Sequence, residues 1–406
     1  MTKLLINHCI PKMFLLVLLF TLNAVAQGYH TYIGQITANS ALIAWGTTAG
    51  RGNTIGRDSS PLGKAEVLIE GRTERSDRNW IVVSGLKPDT TFPYEVKIDG
   101  RKIGEGAVRT YPEKSDTLTF YVIGDWGTGK QPQYRVAAAM QREFEKRRDT
   151  ANPVRFVLTT GDNIYADAPK PIPIRSGDAD SDWESKFYLP YSKLIAQIPF
   201  YPSLGNHDGN DVEKRGDLTT YLDNFFFPGN QPARHYTFNY AGLADFFALD
   251  STKNSLQGSR KAAYEKDGEQ HRWLQSALAA SNAPWKIPYF HTPPYTAGPL
   301  HKPALSKLSH FVELFKRNGV AVVFNGHEHN FQISNRDKTG GITYVISGAG
   351  GELRKGDIYF KLAKAGMKAF AAERHFLLVE IRNKRMEITP ISEEGKSLGN
   401  YVVTLQ

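Results

Sequence analysis

The chain has 406 residues, 41% of them hydrophobic, and carries a formal charge of +9 with a single cysteine. That length exceeds one ordinary domain and implies two or three, with enough apolar material for packed cores. The basic excess suits anionic substrates or surfaces, but without a long Lys/Arg run or an aromatic-basic ladder, nucleic acid is excluded as a dedicated partner.

The first element is MFLLVLLFTLNAVA, residues 13–26, preceded by Lys3 and Lys12 and closed by Ala24, Val25 and Ala26. This is the pattern of a secretory signal peptide over 1–26, with the mature chain starting at Gln27 and no membrane attachment after cleavage. The apolar stretch is short for a retained span. Cys9 precedes it and leaves with it. A cysteine-free mature chain forms no disulfide, so any metal site must draw on His, Asp, Glu, Asn or Tyr. The chain also has no Asn-x-Ser/Thr site, which fits a bacterial exported protein, periplasmic or extracellular.

Residues 27–112 read as all-β. SALIAWGTT, from Ser40, alternates around Trp45, and WIVVSGLKPDTTFPYEVKIDGRKIGEG, from Trp80, reads as strands broken by Gly-Leu-Lys-Pro and Asp-Gly turns. The spacing predicts a small β-sandwich. SALIAW together with GLKPDTTF resembles the fibronectin type III pattern, with one departure: Phe92 stands where that fold usually has its corner tyrosine. The polar stretch YPEKSD, 111–116, reads as a linker to a second region, 113–406.

There the rhythm changes to strands alternating with helices. LTFYVI, VRFVLTT, FYPSL, WKIPYF, AVVFN and ITYVIS read as buried strands. PQYRVAAAMQREFEKR, SDWESKFYLPYSKLIAQ, EQHRWLQSALAAS and SKLSHFVELFKRNG read as helices. YTFNYAGLADFFALDS, and later HFLLVEIRN with RMEITPI, read as hairpins. Alternating strands and helices predict an α/β region with largely parallel sheets.

Polar clusters fall at one kind of place. GDWG (124–127), GDNIY (161–165), GNHD (205–208), His291 and GHEH (326–329) each follow an apolar strand. In open α/β sheets the carboxyl ends of strands form the ligand crevice. Singly each residue has a plainer reading: Asp125 as a helix cap, Asn206 as a turn residue, His291 as a core histidine, His327 and His329 on a solvated loop. Together, five metal-capable clusters at strand ends point to a shared site. Oxygen donors with imidazoles suit first-row metals, and two ions about 3.5–4 Å apart hold a phosphoryl group and activate water. His327 and His329, two apart, share a face in extended backbone. Tyr165 fits the same chemistry. A free phenol titrates near 10, and a strong local positive charge such as a trivalent iron is needed to ionise it at neutral pH.

GDWG, GDNIY, GNHD, the isolated histidine and GHEH, in that order, resemble the purple acid phosphatases within the calcineurin-like metallophosphoesterases. The likeness covers about 115–395. Other metallophosphoesterases usually have histidine where this chain has Gly127, and lack the tyrosine. The resemblance implies a metallophosphoesterase sandwich, two central mixed sheets flanked by helices, behind the small all-β domain. It implies that Asp125, Tyr165 and His329 bind Fe(III), that Asp162 bridges, and that Asn206, His291 and His327 hold a divalent zinc, iron or manganese ion. It implies that His207 contacts the substrate phosphate and assists the leaving group, with His301 supporting it. The implied reaction is hydrolysis of phosphate monoesters by attack of a metal-bound hydroxide. A phosphodiesterase of the same fold and a catalytically inactive exported binding protein are the alternatives. Neither the natural ester nor the oligomeric state can be read from the residues. His30, His235, His271, His310, His375, Trp126 and Trp183 are expected in packing or surface positions, and Lys170 and Arg175 on a solvated loop or steering phosphate.

Overall fold

Seven antiparallel strands come first in the computed structural model, which describes residues 28–48, 55–165, 183–209, 218–253, 262–356 and 362–405. The expected signal peptide, Lys170 and Arg175 lie outside the described residues. The strands are β1 (Tyr29–Ile36), β2 (Ser40–Thr47), β3 (Ala65–Ile69), β4 (Arg72–Ser76), β5 (Trp80–Ser84), β6 (Thr91–Ile98) and β7 (Arg101–Arg109). They form two sheets, ordered β1-β2-β5 and β4-β3-β6-β7. Alternation sets their faces: on β6, Phe92, Tyr94, Val96 and Ile98 are buried while the residues between them are not. Asp99 and Gly100, with φ of 49° and 78°, make the primed hairpin turn that matches strand twist.

The second region is built on two mixed sheets. In one, β8 (Thr117–Ile123), β9 (Val154–Thr159) and β10 (Phe200–Pro202) run parallel. Antiparallel strands β18 (His375–Arg382), β19 (Arg385–Ser392) and β20 (Tyr401–Thr404) extend it beyond β8. The other sheet has a parallel centre of β12 (Ala244–Ala248), β13 (Trp285–Tyr289), β14 (Val322–Asn325) and β16 (Thr343–Ser347). Its antiparallel flanks are β11 (Tyr236–Tyr240), β15 (Phe331–Ser334) and β17 (Met367–Ala371). Parallel pairing is thus confined to β8–β10, β12–β14 and β16, which include all five strands that precede the polar clusters, and the expectation of largely parallel sheets holds only there.

The sheets meet face to face through aromatic rings. Phe120 on β8 lies 5.4 Å from Phe246 on β12 and 6.1 Å from Phe324 on β14, and Phe156 on β9 lies 5.2 Å from Phe246, all edge to face. Helices cover the outer faces. Helix Gln131–Arg147 buries Val136, Met140 and Phe144 at four-residue spacing. Helices Glu269–Ala280 and Leu305–Arg317 pack Leu274, Leu278, Leu308, Phe311 and Phe315 onto Phe247, Phe290 and Val323. On β14 alternation divides one strand between two cores: Val322 and Phe324 face the other sheet, Val323 faces the helices.

The helix expected over 181–197 is interrupted among its described residues, 183–197. A wide π-type turn, Glu184–Tyr188, and a short helix, Ser192–Ile195, flank Pro190, whose ring and missing N–H prevent continuation. Nor does the expected linker begin in solvent: Tyr111 is buried, edge to face with Tyr240 at 4.9 Å. The sandwich and the second region share one hydrophobic core. Tyr94 Oη donates to the Ala196 carbonyl at 2.8 Å, and His30 Nε2 lies 2.7 Å from Glu184 Oε2.

Candidate metal centre

Each polar cluster begins where a parallel strand stops: β8 before Asp125, β9 before Asp162, β10 before Asn206, β13 before His291 and β14 before His327. Asp125, Asp162 and His327 have φ of 55°, 50° and 72°. Left-handed backbone at residues with a Cβ costs on the order of 1 kcal/mol or more and gathers at functional sites. Neighbouring loops hold these turns in place. His327 N–H donates to Asp125 Oδ2 at 2.8 Å, and His207 N–H donates to Asp162 Oδ1 at 2.8 Å.

Three side chains converge around the Tyr165 hydroxyl. It lies 3.3 Å from Asp125 Oδ1, 3.1 Å from Asp162 Oδ2 and 3.2 Å from His329 Nε2. One donor atom each of Asp125, Asp162 and His329 falls within 4.8 Å of the others. Burial, and then the Asp162 and Asp125 carboxylates, hold the phenol well above its ordinary value. Among these residues alone Tyr165 therefore keeps its proton, and only an added cation would release it.

A second convergence shares Asp162. His291 Nδ1 donates to the Thr160 carbonyl at 2.8 Å, which leaves Nε2 as the inward atom. That Nε2 faces Asn206 Oδ1 at 2.9 Å, Asp162 Oδ2 at 3.3 Å and His327 Nδ1 at 3.0 Å. Neutral imidazole, amide oxygen and carboxylate are all electron-pair donors, so they repel unless a proton or a cation lies between them. Burial lowers His291, but the Asp162 and Asp125 carboxylates outweigh it and raise its proton affinity. Burial and the neighbouring His291 and His301 hold His327 well below the ordinary value. Two oxygen- and nitrogen-lined sites joined by one carboxylate fit a pair of first-row cations.

Gly127 explains how Tyr165 gets there. A Cβ on Gly127 would lie 1.6 Å from the Asn163 carbonyl oxygen, so no larger residue fits. The Gly127 carbonyl also accepts the Tyr165 N–H at 2.8 Å. The close approach of these two loops excludes a histidine at 127 and delivers the phenol in its stead.

The two remaining candidate site residues, His207 and His301, are also here. The His207 ring sits 4.6 Å from that of Tyr165. The His301 ring stacks on His327 at 3.7 Å, and its Nδ1 lies 2.9 Å from Glu328 Oε1. Trp126 and Trp183 are buried in packing, as expected. Asp125 caps no helix, because Lys130 occupies the N-cap of the following one. Sequence reading gave Asp208 no role. It is fully buried and accepts from Asn163 Nδ2 at 2.8 Å, Ile164 N at 3.2 Å and Gly205 N at 2.9 Å, tying the GDNIY loop to GNHD. The only hint in the sequence was a carboxylate two residues beyond Asn206, inside a glycine-led turn.

Residues 118–331 match the Calcineurin-like phosphoesterase family. The chain belongs to the calcineurin-like phosphoesterases. Within that family it is 27% identical over 310 residues to purple acid phosphatase 4 of Arabidopsis thaliana, covering 72% of this chain and 86% of that protein. It is 26% identical over 303 residues to human tartrate-resistant acid phosphatase type 5, covering 69% and 89%. In fold it is similar to purple acid phosphatase PPD1 from yellow lupin seeds, with a TM-score of 0.69, 15% identity, and coverage of 92% of this chain and 74% of that one. A calcineurin-like phosphoesterase with such relatives implies a binuclear metal centre, and the Asp125, Asp162 and His329 cluster is a candidate for it.

Proposed function

We propose that this protein is an exported acid phosphatase of the purple type, hydrolysing phosphate monoesters at a binuclear centre of Fe(III) and a divalent ion. One observation carries the reading: a phenol, two carboxylates and an imidazole meet within hydrogen-bond distance at the ends of three strands and a turn. Asp125, Tyr165 and His329 would hold the ferric ion, Asp162 would bridge, and Asn206, His291 and His327 would hold zinc, iron(II) or manganese. Such a pair of cations supplies charge stabilisation for the phosphoryl group and a nucleophile at low pH.

The chain's own residues do the rest. Thr160 fixes the His291 tautomer, so Nε2 always faces inward. The backbone bond from His207 to Asp162 pins the His207 ring beside Tyr165, where a protonated imidazole can donate to the departing alcohol. His301, stacked on His327, borders the same crevice. The sandwich of β1–β7 is read as fibronectin type III-like from its three- and four-stranded sheets. Export rests on the pattern of residues 1–26, and no helix among the described residues is long and apolar enough to cross a membrane.

The test is an optical spectrum and metal analysis of the protein beside Tyr165→Phe. About two metals per chain, with a visible charge-transfer band that disappears in the variant, is the expected result. A colourless protein with two divalent ions and no iron, even after oxidation, would remove the ferric assignment. Kinetics on aryl monoester and diester substrates decide the reaction: a higher kcat/KM for the diester would replace the phosphatase by a phosphodiesterase. Metal bound with no hydrolysis of either would leave an exported binding protein.

A further inference from the structure

The motif GHEHNFQ, 326–332, carries two interleaved rows of side chains. His327 and His329 face the metal centre. Glu328, Asn330 and Gln332, at the alternate positions, are fully buried; the segment is a bend, left-handed at His327, that becomes strand only at Phe331. Each of the three bonds one irregular loop, 296–301. Gln332 Oε1 accepts the Ala297 N–H at 2.7 Å, and Gln332 Nε2 donates to the Gly298 carbonyl at 2.8 Å and to Thr296 Oγ1 at 3.1 Å. Asn330 Nδ2 donates to the same Gly298 carbonyl at 3.1 Å. Glu328 Oε1 accepts the His301 N–H and lies 2.9 Å from His301 Nδ1, while Glu328 Oε2 lies 3.6 Å from Arg354 Nη1.

A buried carboxylate and two buried amides are costly to keep away from water unless each is paired. Here the pairing is spent on a loop with no helix or strand of its own, and the end of that loop is His301. The ring of His301 is held flat against His327 on one side and is about one-third exposed, at 32%, on the rim of the crevice.

We propose that Glu328, Asn330 and Gln332 are positioning residues that lock loop 296–301 so that His301 contacts the phosphate group of the bound ester. The role rests on the phosphoesterase reading of the site, but the lock is a property of the chain itself. One short segment, 327–332, thus carries the candidate metal ligands His327 and His329 and, at the alternate residues, the side chains that aim a substrate contact. Arg354 balances the buried Glu328 charge, and the backbone N–H of Arg354 bonds the His329 carbonyl at 2.9 Å, which closes the assembly.

The experiment compares the full-length protein with Glu328→Gln in three measurements. The first is hydrogen–deuterium exchange of the 296–302 segment in metal-depleted protein. The Ala297 and His301 amides are expected to be protected in the wild type, and the His301 amide to exchange faster in the variant. The second is metal content, expected to be unchanged. The third is inorganic phosphate affinity together with kcat/KM on an aryl phosphate, both expected to fall about 10- to 100-fold, as for partners that orient site groups. Gln332→Glu keeps the acceptor for Ala297 and loses the donor to Gly298; it replaces Glu328→Gln if that variant does not fold. Unchanged exchange in the variant overturns the lock. Faster exchange with unchanged phosphate affinity and kinetics overturns the link to substrate. If the wild type hydrolyses no monoester, the functional reading fails, while exchange and phosphate affinity still decide this proposal.

Discussion

At the scale of single residues, the candidate centre depends on the bare Cα of Gly127 as much as on its donor groups. Tyr165 reaches Asp125 and Asp162 because Gly127 lets the two loops touch, with Asn163 carbonyl oxygen where a side chain would start. Gly127→Ala is therefore expected to lose about 1–3 kcal/mol or more through overpacking against backbone, read by chemical denaturation. If the ferric reading holds, its visible band should also shift, because the Tyr165 N–H is bonded to the residue that must move. An alanine variant as stable as the wild type would show that the loops can separate and that Gly127 does not set the position of the phenol. The types and order of the donor side chains could be read in the sequence because a buried strand followed by Gly-Asp or Gly-His announces itself. Asp208, Glu328, Asn330 and Gln332 could not be assigned in that way, since what they hold is far away in the chain.

At the scale of elements, strand ends and sharp turns do the positioning. Parallel strands from two sheets stop at one edge, and left-handed turns at Asp125, Asp162 and His327 swing the side chains into the gap. The sheets must stay in register for the two groups of donor side chains to meet. Phe156 is the ring that most clearly joins them, fully buried with edge contacts to Phe238, Phe246 and Tyr240. Phe156→Ala is expected to cost about 3–5 kcal/mol, measured as a lower denaturation midpoint with the slope unchanged. A loss below about 1 kcal/mol would mean that the sheets close over the gap. The long, strongly periodic elements were legible: helix Gln131–Arg147 and the hairpin of β18 and β19 fall where their patterns put them. The short strands β15, β17 and β20 were not, because four or five residues carry too little periodicity.

At the scale of the whole molecule, the sandwich is bound to the catalytic region by a continuous core and by charged ties. Arg155 on β9 reaches Asp89 in the sandwich at 2.7 Å, with Arg109 on the same carboxylate at 3.1 Å. Partial burial alone would raise Asp89, but hydrogen bonds and charge from Arg155 and Arg109 outweigh it and hold it below the ordinary value of 3.8. A depressed acid stabilises fully above the unfolded value and loses that contribution as pH falls through the folded one. The tie therefore persists at mildly acidic pH and fades only below about 4. Asp89→Asn should lower the melting temperature at pH 6, modestly because the carboxylate is partly exposed, with the difference shrinking toward pH 3. A difference that grows as pH falls would contradict the assignment. With a shared core, wild-type calorimetry should show one transition; two separate ones would mean that the regions fold independently.

The sequence by itself determined the chemistry: which donor atoms are present, that cysteine is not among them, and that they sit at strand ends. Period-two and helical patterns are local properties and survive without any knowledge of packing. Only the tertiary structure decided that five separated turns converge within a few ångströms, that Gly127 is filled by another loop's backbone, and that the expected linker at Tyr111 is core. Those outcomes depend on contacts between residues tens to hundreds of positions apart. Burial, and the hydrogen bonds that buried polar groups must find, exist only once the chain has closed on itself.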